Sequence, residues 1–125
     1  AEAFGCSGVI LPQRRSAGIT GTVSKVAAGA LENLPISRVV NLNRSLEKLK
    51  GEGYLVVGLS EKAKESVYDF KENISLVIVI GSENKGISLI TQKHCDYLLK
   101  IPLIGKTTSL NASVAAGICI SYLTK

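Results

Sequence analysis

At 125 residues, 46% hydrophobic and 20% charged, the chain carries one domain's worth of sequence, enough to bury a core without disulfide or metal staples. An aromatic share of 5% supplies few rings for stacking single-stranded bases, while a net charge of +5 and a pI near 9.2 favour an anionic partner such as nucleic acid. Three widely spaced cysteines, Cys6, Cys95 and Cys119, fit neither a disulfide framework nor a zinc quartet, and no apolar run approaches the ~20 residues of a membrane span, so a soluble protein of a reducing cytoplasm is expected.

In chain order, Ala1-Glu2-Ala3-Phe4-Gly5 reads as the last turn of a helix, and the sequence contains no methionine, so the chain is expected to start within a domain. Gly8-Val9-Ile10-Leu11 reads as a buried strand closed by Pro12, with Gln13-Arg14-Arg15-Ser16 following as an exposed basic loop. Val23, Val26, Ala27, Ala30 and Leu31 recur at helical spacing until Pro35, where Ile36-Ser37-Arg38-Val39-Val40 resumes as strand. Leu42, Leu46 and Leu49 predict a short amphipathic helix ending near Gly51 and Gly53. Tyr54 to Leu59 and Ser75 to Ile80 are buried strands, separated by a polar segment, Glu61 to Asn73, expected to be a surface excursion. Residues 86–95 predict a helix, Leu98 to Ile101 a short strand, and 112–124 a closing helix.

Five apolar strands with helices between them predict an α/β fold, a mainly parallel sheet covered on both faces. Ligands of such sheets gather at the carboxyl ends of the strands. Here those ends are Gly58-Leu59-Ser60, Gly81 to Gly86, and Pro102 to Ser109.

The loop Gly81-Ser82-Glu83-Asn84-Lys85-Gly86-Ile87 is not a nucleoside-triphosphate phosphate loop, because isoleucine stands where that motif needs lysine, and G-x-G-x-x-G is absent throughout. What remains is a strand-end loop with two glycines and one carboxylate, Glu83, which also suits a plain strand-to-helix turn. Ser109 and Asn111 fit the capping of the last helix, but Thr107, Thr108, Ser109, Asn111 and Ser113 offer more polar groups than one cap uses. His94, the single histidine, lies late in a polar helix, a poor position for a metal ligand or a triad. No metal site is expected. Arg14 and Arg15 are candidate phosphate contacts, or simply solvated.

Two separated segments in order, Leu76-Val77-Ile78-Val79-Ile80-Gly81-Ser82-Glu83-Asn84-Lys85-Gly86 and Ile101-Pro102-Leu103-Ile104-Gly105 through Ser109-Leu110-Asn111-Ala112-Ser113-Val114-Ala115, resemble the second and third motifs of the SpoU, or TrmH-like, RNA ribose methyltransferases. Ser24 to Ala30 and Ile36 to Val39 resemble the branch that methylates a guanosine of 23S ribosomal RNA. The resemblance implies a deep trefoil knot at the carboxyl end, an exception to the rule against knots, and S-adenosylmethionine as cofactor. Gly81, Ile101 and Leu110 match cofactor-contact positions, with Gly58, Leu59 and Ser60 on a neighbouring loop, and Ile101, Leu103 and Leu110 are expected to wall the adenosine slot. Glu83, Ser109 and Asn111 match active-site positions. The family works as homodimers through the last helix and knot.

The family's first motif also carries an asparagine and an arginine, which this chain does not contain at its start. It is therefore expected to be a single catalytic domain of a longer enzyme whose preceding domain binds RNA. Transfer RNA is the alternative substrate. A non-catalytic RNA-binding module and a flavodoxin-like nucleotide binder are the alternative classes, distinguished by insensitivity to substitution of Asn111 and by preference for a flavin or mononucleotide, respectively.

Overall fold

The structure, a computed structural model, describes residues 5–12, 35–81, 86–106 and 110–123. The expected helices at the opening and around Val23 to Leu31, and the basic loop with Arg14 and Arg15, lie outside them. The chain divides into two compact units, Ala1–Ser45 and Leu46–Lys125. In the first, β1 (Val9–Pro12) pairs parallel with β2 (Ile36–Val39), Val9 facing Ile36 in register. The helix α1 (Leu42–Gly51) opens there on Asn41, whose Oδ1 accepts the Arg44 N–H at 3.1 Å.

The second unit holds a four-stranded, wholly parallel sheet in the order β4-β6-β3-β5, formed by β3 (Leu55–Leu59), β4 (Glu65–Ser66), β5 (Leu76–Val79) and β6 (Tyr97–Lys100). The apolar strands are continuous because both faces are covered. On one face Val56, Val77 and Val79 pack with Leu46 of α1 and with Ile87 and Cys95, which flank the short helix α2 (Leu89–His94). On the other, Leu55, Val57, Leu59, Leu76, Ile78, Tyr97, Leu99 and Ile101 pack with Val67, Phe70, and Cys119 and Leu123 of α3 (Ala112–Leu123). Val56, Val57, Val67 and Leu99 are wholly buried, each stabilising the fold by about 1.5–3 kcal/mol relative to exposure.

Two elements differ from the sequence expectation. The polar segment 61–73 is not merely an excursion, because β4 adds an edge strand to β6 and the 3-10 turn Val67–Asp69 sends Val67 into the core. A two-residue polar strand has no periodicity to betray it. The expected helix over 86–95 is shorter, because Ser88 takes the N-cap position with extended backbone and its Oγ accepts the Thr91 N–H at 3.2 Å. The α/β class, the parallel pairing and the helix positions on both faces of the larger sheet agree with the expectation, but β1 and β2 form a separate two-stranded sheet rather than joining the other expected strands.

Candidate functional site

Because β3, β5 and β6 run parallel and adjacent, their carboxyl ends lie side by side, which brings Gly58-Leu59-Ser60, Gly81 and Ile101 to one edge of the sheet. The ladder extends one step beyond β3, where the Ser60 N–H donates to the Leu99 carbonyl at 2.9 Å. A tight turn follows: Ser60 Oγ accepts the Lys62 N–H at 3.2 Å, and the Ser60 carbonyl accepts the Ala63 N–H at 3.1 Å.

Both glycines of this edge are required by close approach. A Cβ on Gly81 would be driven into the backbone of Gly86 and Ile87, so the far side of the 81–87 segment folds directly against Gly81. A Cβ on Gly58 would stand 2.8 Å from Cys95 Sγ and 3.0 Å from both Ile87 Cδ1 and Leu98 Cδ2. Side chains fill the space beside Gly58 and main chain fills it beside Gly81, so each glycine lets neighbouring elements pack closely at this edge.

Of the other expected contacts, Ile101 is half-buried with its side chain in the core cluster beside Leu99 and Cys119. Leu103 is 37% exposed, and Leu110 is half-buried just ahead of α3. Asn111 caps α3: its Oδ1 accepts the N–H groups of Ser113 (2.8 Å) and Val114 (3.3 Å), and its carbonyl accepts the Ala115 N–H at 2.9 Å. The capping expectation is met. Glu83, Ser109, Thr107 and Thr108 lie outside the described residues.

The sequence pattern did not single out Ile87 or Lys100. Ile87 is 8% exposed and touches the space of both glycines. Strand alternation puts Lys100 on the Leu98 side of β6, and the β3–β6 register puts it beside Ser60. A lysine ending an apolar strand was the available signal.

The Cys95 and Cys119 thiols are unsuited to nucleophilic chemistry at neutral pH. Burial pushes the Cys119 thiol up to about 12, and burial, reinforced by Asp96 and opposed by Lys50, raises that of Cys95. His94 lies at the opposite edge, its Nδ1 3.8 Å from Glu47 Oε1. Among the described residues no cluster of His, Cys, Asp and Glu could hold a metal, and no helix is long and apolar enough to cross a membrane.

Comparison with known proteins gives a consistent picture. Residues 1–121 match the model of the SpoU rRNA Methylase family. A protein named as an uncharacterized tRNA/rRNA methyltransferase of Synechocystis sp. is 57% identical over 120 residues, 96% of this chain and 31% of its own length. The 23S rRNA (guanosine-2'-O-)-methyltransferase RlmB of Pseudomonas putida is 44% identical over 120 residues, 96% of this chain and 48% of its own. The crystal structure of the SpoU methyltransferase AviRb of Streptomyces viridochromogenes, in complex with the cofactor AdoMet, matches with a TM-score of 0.87 at 27% identity, covering 98% of this chain and 48% of that one. The chain thus spans about a third to a half of the length of these relatives.

Proposed function

The chain belongs to the SpoU rRNA methylase family, and from that membership we propose that it transfers a methyl group from S-adenosylmethionine to a ribose 2'-hydroxyl of RNA. The observation that carries the reading is the convergence of Gly58-Leu59-Ser60, Gly81 and Ile101 at one strand edge, in a fold similar to that of AviRb, which was crystallised with AdoMet.

The residues present fit that cofactor. Gly81 and Gly58 let the protein pack closely at the edge where the ligand would lie, and Leu103 and Leu110 offer apolar surface for an adenine ring. Gly58, Leu59, Ser60, Gly81 and Ile101 would hold it mainly through backbone groups. When bound, the cofactor would supply a methyl group on a sulfonium centre, with S-adenosylhomocysteine as the leaving group and the hydroxyl proton released to water. The protein's part is alignment of the hydroxyl and relief of that proton. Asn111 and Ser109 orient the ribose or its phosphate, and Glu83 belongs to the hydrogen-bond framework. Arg14 and Arg15 contact phosphates, in keeping with the net charge of +5.

A guanosine of 23S ribosomal RNA is the proposed target, on the strength of the RlmB relatives; transfer RNA is the second choice, from the relatives named for both RNAs. The reading extends to a carboxyl-terminal trefoil knot, to a cytoplasmic homodimer joined through α3 and the knot, and to this chain being a catalytic domain of a longer enzyme. Exposed Val114 and Gly117 on α3 support a helix that packs against a second copy. A non-catalytic RNA-binding role draws support from one observation, the use of Asn111 Oδ1 as a cap.

The test is calorimetric titration with S-adenosylmethionine and S-adenosylhomocysteine, followed by methyl incorporation into 23S transcripts. Binding by the wild type that is lost in Leu110→Glu is expected. Absence of binding by folded wild type defeats the cofactor assignment.

A further inference from the structure

The two glycines at the carboxyl edge lie at the ends of different strands, yet one residue packs against both, with Gly86 beside it at Gly81 and Cys95 and Leu98 beside it at Gly58. Ile87 presses its main chain against Gly81, and its Cδ1 lies 3.0 Å from where a Gly58 Cβ would stand. It is almost wholly buried. Its own main chain is fixed in turn, because Gln92 Nε2 donates to the Ile87 carbonyl at 2.8 Å from one turn further along α2. That bond is long-armed and part-buried, and it sits apart from the Ser88 cap, where Ser88 Oγ serves the Thr91 N–H and hydroxyl. The helix start is therefore secured by Ser88, whereas the height of residue 87 above the sheet is secured by Gln92.

We infer that Ile87 is a positioning residue for the cofactor edge and that the Gln92 amide is its latch: together they set the spacing between the Gly58 and Gly81 main chains. This rests on the cofactor reading above. Neither side chain touches a ligand in the proposal. Ile87 acts as a spacer, with its backbone on β5's end and its side chain on β3's, and a shift of residue 87 moves both strand ends together.

The experiment uses Gln92→Met, which keeps the length of the side chain and removes its N–H donors. S-adenosylhomocysteine affinity is read by titration well below the unfolding temperature, and stability is read separately by thermal unfolding. The expected result is an affinity about three- to tenfold weaker, the range one modest hydrogen bond spans, with substantial recovery in Gln92→Arg, which restores a nitrogen donor. A Gln92→Met protein that unfolds earlier but binds as the wild type does overturns the inference, since a merely structural bond would behave so. Should Gln92→Met not fold, Ile87→Val trims only Cδ1 and is expected to weaken binding at least twofold while shifting the Gly58 and Gly81 amide resonances together; unchanged affinity overturns the inference here as well. Wild type that binds nothing defeats the cofactor reading and this inference with it, whereas wild type that binds beside unaffected variants defeats this inference alone.

Discussion

The two edges of the four-stranded sheet are built on opposite principles. At the amino edge a side-chain network ties the elements together. Asp96 accepts the Val56 N–H at 2.8 Å through its carboxylate, returns its own N–H to the Val56 carbonyl at 2.7 Å, and pairs with Lys50 at 3.3 Å. Lys50 also reaches the His94 carbonyl at 3.2 Å, so the ends of α1 and α2 and the starts of β3 and β6 meet in one polar knot of side chains. At the carboxyl edge two glycines let neighbouring elements close in, the ladder runs one step past β3, and apolar Leu103 stands exposed. The lesson is a division of labour. One edge is held by a side-chain network, the other by close packing against glycines.

The strongest way to break this picture is Gly81→Ala. The added methyl meets backbone, which cannot rotate away as a side-chain tip would, so a loss of about 2–3 kcal/mol in urea-unfolding stability is expected, together with loss of S-adenosylhomocysteine binding. A variant as stable as the wild type shows that residues 86 and 87 do not close on Gly81. Next in size is Asp96→Ala at the other edge. Hydrogen bonds to charged groups contribute about 1.5–3 kcal/mol, and the carboxylate is 28% exposed, so the lower end, about 1.5–2 kcal/mol, is expected. The folded variant should keep cofactor affinity within about twofold, as an anchoring role requires. Affinity falling in step with stability removes the distinction between the edges.

A smaller effect sharpens the open edge. Asn111→Ala removes the cap of α3 and is expected to cost about 1 kcal/mol. Asn111→Asp keeps an oxygen for the Ser113 and Val114 N–H groups and should match the wild type in thermal unfolding, while ribose methylation drops at least tenfold if the amide orients the substrate. Full activity in Asn111→Asp reduces the residue to a cap and favours the non-catalytic reading of its position.

How much of this could be read beforehand depended on the range of the interaction. β3, β5 and β6 were readable because Val, Ile and Leu run unbroken between glycines and prolines, and the Asn111 cap was readable because it serves residues two and three positions away. β4 was not, since its evidence is a backbone pairing with Leu99 and Lys100, more than thirty residues distant. Gly58 and Gly81 could be placed at strand ends, but a glycine announces only that space is needed, not which atom takes it. The Asp96 network joins residues forty and more positions apart, and nothing local marks that aspartate as an anchor rather than a solvated charge.

That anchor can itself be taken apart. Of its two functions, accepting the Val56 N–H and pairing with Lys50, the second involves side chains 35% and 28% exposed, where water screens the attraction and ordering a lysine offsets part of it. Lys50→Met is therefore expected to lose only about 0.5 kcal/mol, and the loss should shrink further in 1 M salt, where the Debye length is about 3 Å. The measurement is paired urea unfolding of Lys50→Met and Asp96→Ala at low and high salt. If the lysine variant loses as much as the aspartate variant, the ion pair rather than the carboxylate–backbone bond holds the amino edge, and its rigidity would then vary with ionic strength.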